Sequence, residues 1–220
     1  MAASPFVAVP CDLGSATLRQ CVDGVVRADA AGWPMVMLAA SDPTDPIDGL
    51  ALAAACASLT RTIGLCVRID PATVEPFTLA RGLATLDHLS RGRAAWRLAG
   101  GEPARNAELV AVVGKLLQSW GADALIEDRE AGILSDAARV APIDHHGAFF
   151  AVRGPLNMPR PPQSVPPLVR GAVDPVLPGV DFTLEAADIL TCSVAELAWL
   201  PDCGGGGDVM PLRARLEARS

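Results

Sequence analysis

The chain has 220 residues, enough to bury a full core as one domain or as one domain with a tail. Half of it is hydrophobic and 20% is charged, which excludes disorder throughout. With 25 acidic against 18 basic residues the net charge is -7, arguing against a nucleic-acid surface, and the absence of tyrosine excludes any mechanism that needs a phenol.

Residues 1–15 lack a basic stretch followed by a long apolar one, so no secretory leader is expected. Residues 6–10 form a short apolar run of strand type. Ser15 opens a helical segment toward Ala31, with Leu18, Val22, Val25 and Val26 at helical spacing and Gly32 as its stop. Residues 35–38 (MVML) read as a buried strand, followed by a loop rich in Pro and Asp. Asp48 is placed to cap a helix through Ala57, and residues 63–69 form the next strand. The uncharged run 49–60 falls short of the ~20 residues that a membrane span requires, so it is expected to be a buried helix.

Pro76 suits a first helical turn, where its missing N–H costs nothing. Leu79, Leu83 and Leu86 then line one face, and Ser90-Arg91-Gly92 ends the helix with Gly92 in the left-handed conformation. Residues 94–98 make a strand and 106–120 an amphipathic helix. This alternation predicts an α/β fold with a parallel sheet and helical crossovers. Residues 121–141 are mostly polar and are expected to be loop. Residues 143–154 (IDHHGAFFAVRG) suggest a small antiparallel hairpin turning at His146-Gly147. The proline-rich stretch 155–167 is an extended segment. Leu168-Val169 begins a fifth core strand and 187–192 is a sixth. The chain thus divides into a domain over 1–200 and a tail over 201–220, with a glycine-rich linker and at most a short polar helix.

Six cysteines (Cys11, Cys21, Cys56, Cys66, Cys192, Cys203) are scattered without a C-x-x-C pair, so neither a zinc site nor a disulfide framework is expected. They read as small core residues or free thiols in a reducing cytoplasm. Asp144, His145 and His146 are adjacent on a hairpin and alternate between faces, so they do not converge on a metal. Asp87 and His88 lie near a helix end, where His88 can meet the last carbonyls.

Three stretches, 78–96 (TLARGLATLDHLSRGRAAW), 116–125 (LLQSWGADAL) and 143–163 (IDHHGAFFAVRGPLNMPRPPQ), together resemble the luciferase-like flavin-dependent monooxygenases. The branch they resemble oxidises nitrilotriacetate, EDTA, dibenzothiophene sulfone and similar small substrates, and weaker similarity runs from Ser15 to Cys192. The resemblance implies a (β/α)8 TIM-type barrel with FMN at the C-terminal ends of its strands. Reduced FMN would come from a separate flavin reductase and, with oxygen, oxidise a small organic substrate. With six strands recognisable, the expected fold is an incomplete barrel of about six parallel strands with a hairpin insertion. Its open side is expected to pair with a second copy or with a full-length relative; no nucleic-acid or membrane partner is implied.

The positions that hold the flavin in that family are changed here. Ala40 stands where an aspartate closes the second strand. Asp70, Pro71 and Ala72 replace a Ser/Thr cluster, leaving Thr73 as the hydroxyl. Arg97 and Gly100-Gly101 replace an asparagine and a Thr-Ser pair, and residues 170–174 (RGAVD) replace the phosphate loop. Asp174 is therefore expected to repel a phosphate, by roughly 4 kcal/mol at about 4 Å and a surface-like dielectric. The remaining candidates for cofactor binding are Arg170, directed into the barrel to meet the phosphate, Thr73, and Trp96 at the border of a flavin pocket. No catalytic residue and no metal ligand is assigned, although His145 is an acid–base candidate. Three readings stand: an FMN-dependent monooxygenase, a non-catalytic relative acting as partner subunit or small-ligand binder, and a remnant without function.

Overall fold

The computed structural model describes residues 6–11, 17–40, 48–171, 174, 177–184, 189–191 and 211–217. Strand β1 (Phe6–Cys11) leads to helix α1 (Leu18–Ala30), which opens on a reciprocal cap: Gln20 N–H donates to Thr17 Oγ1 and Thr17 N–H donates to Gln20 Oε1 at 2.8 Å. The start expected at Ser15 lies outside the described residues. β2 (Met35–Ala40) precedes α2 (Gly49–Ala57), where the Asp48 carboxylate accepts the Leu50 N–H at 3.0 Å, as its position predicts.

β3 (Gly64–Ile69) and α3 (Pro76–Ser90) follow, and α3 ends with two left-handed residues, Arg91 (φ 57°) and Gly92 (φ 80°), where the sequence suggests one. β4 (Ala94–Leu98) comes next. α4 (Pro103–Leu117) starts and stops three residues before the expected bounds, because Pro103 takes the first turn as Pro76 does in α3.

Residues 121–141 are not simply loop: β5 (Leu125–Asp128) and β6 (Ile133–Ser135) pair antiparallel, with Asp128 Oδ1 accepting the N–H groups of Glu130 and Ala131 in the turn. Turn chemistry rather than burial makes this hairpin, so hydropathy gives no sign of it. The second hairpin, β7 (His145–His146) with β8 (Ala151–Val152), is antiparallel as expected.

β9 (Val169–Gly171), β10 (Phe182–Leu184) and β11 (Ile189–Thr191) are the remaining strands among the described residues. β11, β1, β2, β3 and β4 form one parallel sheet in that order. A parallel bridge from Trp96 to Leu168 brings β9 alongside β4, and β10 pairs with β9. The expected sixth strand, β11, thus lies beside β1 rather than after the fifth, and β10 has no counterpart in the sequence reading.

Alternation sorts the sheet into two faces. Val36, Leu38, Leu65, Val67, Ala94, Trp96 and Leu168 pack under the helices with Leu79, Leu83, Leu109 and Leu116. The inner face presents Met35, Met37, Cys66, Ala95 and Val169, and α5 (Leu212–Glu217) packs against them. Leu212 and Leu216 are buried there, so the tail helix is polar only on its outward side.

The placement of α5 at the N-terminal ends of the strands follows from its bonds: Leu212 N–H donates to Gly92 O at 2.7 Å, and Arg213 N–H to Gln163 Oε1 at 2.8 Å. A Cβ at Gly64 would sit 2.8 Å from Leu212 Cδ1, so a side chain there would force this leucine to shift. Six residues are too few for a helix to hold by itself, so packing must supply its stability. Leu212→Ala is expected to lower unfolding free energy by about 2–4 kcal/mol in urea titration, the cost of a buried leucine and its cavity. Among the described residues no helix is long and apolar enough to cross a membrane.

Candidate functional site at the strand ends

The C-terminal ends of β4 and β9 meet in an ion pair. Arg97 alternates with Trp96 and Leu98 and so faces inward, where its Nη1 lies 3.6 Å from Met37 Sδ. Its Nε and Nη2 donate to Asp174 Oδ2 and Oδ1 at 2.6 and 2.8 Å, a two-pronged contact with both side chains largely buried. Gly171 N–H donates to Asp174 Oδ2 at 2.7 Å, and Asp174 N–H returns to Gly171 O at 3.0 Å. A Cβ at Gly171 would fall 2.9 Å from Arg97 Nη2, so glycine is what lets the guanidinium lie flat across the loop.

Burial alone would raise the Asp174 carboxyl, but Arg97 and the Gly171 N–H together hold it below its ordinary value. The same hydrogen bond raises the Arg97 pKa, so both groups are ionised and mutually satisfied. The Asp174 charge therefore has a counter-ion in Arg97, with the Arg170 charge adding a smaller contribution nearby.

Arg170 does not take the inward direction expected of it. Its neighbour Val169 belongs to the inner cluster and Leu168 to the helix side, so Arg170 alternates outward, where Nε donates to Thr183 Oγ1 at 3.0 Å and Nη1 to Asp174 O at 2.9 Å. Thr73 is exposed and closes a turn, its hydroxyl donating to Asp70 O at 3.2 Å while Ala72 N–H donates to Asp70 Oδ1. Trp96 is buried on the helix side and donates from Nε1 to Pro166 O at 3.1 Å. It borders a groove of about 810 Å³ beside α4, on the opposite face of the sheet from Arg97. Ala40 is the last residue of β2. Thr73 thus occupies a turn, while Arg170 and Trp96 both lie on the helix side of the sheet, on the face opposite Arg97.

Other polar residues singled out by the sequence have structural partners. His145 Nε2 lies 3.0 Å from Glu108 Oε1, and the same carboxylate accepts the N–H groups of Phe149 and Phe150, pinning the β7–β8 hairpin to α4. These bonds, His145 foremost, keep Glu108 acidic. His146 is exposed on the other side, as alternation requires. His88 Nε2 lies 3.3 Å from Pro159 O rather than at the carbonyls of its own helix. Asp87 is fully buried and accepts Gln163 N–H at 2.9 Å and Gln163 Nε2 at 2.7 Å; burial nonetheless raises its pKa. Cys21, Cys56 and Cys66 are buried and in no disulfide, and burial pushes Cys66 up to about 12, which removes it as a nucleophile. Among the described residues no group of three or more His, Cys, Asp or Glu side chains could hold a metal.

Chemically, the strand ends offer an anion little. The guanidinium fork and the loop N–H, the donors that would grip a phosphate, are both consumed by Asp174. Sequence reasoning finds both substituted positions but not their union. The signal available is that two neighbouring strands have each gained one charge, of opposite sign.

A model of the luciferase-like monooxygenase family matches residues 3–198. One of the two pristinamycin IIA synthase subunits of Streptomyces pristinaespiralis is 36% identical over 188 residues, covering 80% of this chain and 67% of that one. Nitrilotriacetate monooxygenase component A from Aminobacter aminovorans is 33% identical over 180 residues, covering 73% of this chain and 39% of that one. The crystal structure of DmoA from Hyphomicrobium sulfonivorans superposes with a TM-score of 0.67 at 21% identity, covering 79% of this chain and 48% of that one, a likeness of fold. The chain therefore spans two thirds of the synthase subunit and less than half of the other two.

Proposed function

Because this chain belongs to the luciferase-like monooxygenase family, we propose that it acts as a flavin-free subunit pairing with a luciferase-like barrel rather than as an independent monooxygenase. The observation that carries this reading is the closed Arg97–Asp174–Gly171 contact at the strand ends. The residues present do not fit the phosphate of FMN: Asp174 already supplies the negative charge at the loop that would receive it. We read the parallel strands as an incomplete TIM-type barrel, working in the cytoplasm, with the chain's own contribution made through association. Work within an assembly is supported by two relatives, one a synthase subunit and the other a monooxygenase component.

Titrating the purified chain into FMN while following flavin fluorescence tests the reading. The expected result is no quenching through the micromolar range, and stoichiometric quenching would overturn it. The second reading, a working FMN-dependent monooxygenase supplied with reduced flavin by a reductase, is favoured by the 33% identity to a nitrilotriacetate monooxygenase component. Saturable micromolar binding of FMN would establish that one instead.

A further inference from the structure

The groove beside α4, of about 810 Å³, falls within the size range of small-molecule sites. Val110, Ala111 and Gly114 form its α4 wall, Ile143 and Val165 stand opposite, and buried Leu168 makes the floor. It stays open because residues 172–181, which join parallel strands β9 and β10, include no helix among those described, where a crossover helix ordinarily packs. Such a lining suits an aliphatic body.

The charges around it specify the other end of the ligand. No aspartate or glutamate lines the groove, although the chain carries a net charge of -7. Two cations do line it. Arg139 is already committed, with Nη1 3.3 Å from Asp123 Oδ2 and Nε 3.2 Å from Asp136 Oδ2. Lys115 pairs with no carboxylate among the described residues; its Nζ lies 3.5 Å from His145 Nδ1. Glu108, kept acidic, can only accept, so a neutral imidazole carries its proton on Nε2, 3.0 Å from Glu108 Oε1. That leaves the Nδ1 lone pair for the lysine. The contact orients the ammonium at the rim and uses one of its three N–H donors, so two remain for a ligand.

We propose that the groove binds a free medium-chain aliphatic carboxylate, its headgroup on Lys115 and its tail along α4. One uncommitted cation calls for one anionic charge. Ala107 lines the far end, about 12 Å from Lys115 along the helix, a length that suits such a tail. The site lies on the helix side of the sheet, away from Arg97 and Asp174, so carboxylate binding and flavin binding are read independently.

Calorimetric titration of the full chain with decanoate, at low ionic strength and below its micelle concentration, is the test. The native chain is expected to bind it saturably with a micromolar dissociation constant, and to bind decanol about fivefold more weakly, the scale of a single exposed ion pair. Lys115→Met keeps the apolar stem and removes the charge, after which acid and alcohol should bind alike. Gly114→Leu fills the slot. A Cβ there meets nothing within 4 Å, and leucine suits a helix better than glycine, so the fold should hold while both ligands weaken by about tenfold or more. Circular dichroism checks the fold, and either variant suffices should the other misfold. Absence of saturable decanoate binding, binding unchanged in folded Gly114→Leu, or an acid preference that survives Lys115→Met would each overturn the proposal. Equal affinity of the native chain for acid and alcohol would overturn it too, and would mark the groove as a seat for an apolar segment of another protein.

Discussion

Replacing Asp174 with serine is expected to tighten FMN binding by about two to three orders of magnitude. Arg97 already neutralises most of the carboxylate's repulsion, so the gain comes from freeing the Arg97 fork and the Gly171 N–H to face the ligand, charge-assisted bonds worth about 1.5–3 kcal/mol each. Riboflavin, which has the ring but no phosphate, should gain almost nothing. That contrast separates a restored phosphate grip from a general loosening of the strand ends. Flavin fluorescence with both ligands measures it, and equal gains for the two would show that the phosphate is not what Asp174 opposes. Some stability should be lost, since Arg97 is left half-buried without its counter-ion.

Arg93→Met is expected to cost about 3–5 kcal/mol of unfolding free energy, the range for stranding buried polar partners. Arg93 is 3% exposed and spends its whole side chain on carbonyls and a hydroxyl. Nε donates to Ser90 O at 2.8 Å; Nη1 donates to Ile63 O at 2.7 Å and Thr60 Oγ1 at 2.9 Å; Nη2 donates to Ala57 O and Thr60 O, both at 3.0 Å. Its positive charge also lies at the C-terminal end of α2, where the helix dipole favours it. Methionine matches its bulk but leaves these acceptors without this donor. Arg93→Lys keeps the charge without the planar fork and should fall between the two, as urea unfolding at neutral pH would show.

What the sequence disclosed was local. Asp48 before an alanine-rich run, Pro76 at a first turn and the leucine spacing of α3 are decided within a few residues, and those elements stand where the pattern puts them. What it concealed depends on residues far apart. Arg97 and Asp174 are distant in the chain, and nothing near either shows that they meet. The position of β11 beside β1 is likewise a matter of pairing between distant segments. Arg170 departs from its expected direction for a simpler reason: a one-residue change of strand register sends every side chain to the opposite face, and Val169 holds the inward place. The β5–β6 hairpin is invisible to hydropathy because it has no buried stripe.

The docking of α5 also bears on synthesis. Met35 and Leu212 share one apolar cluster, yet almost the whole described polypeptide separates them. While the ribosome is still making the intervening segments, the nascent chain holds Met35, Met37 and Cys66 without the leucines that will cover them. Final compaction must therefore wait until Leu212 and Leu216 have emerged, so the inner face stays uncovered through most of synthesis.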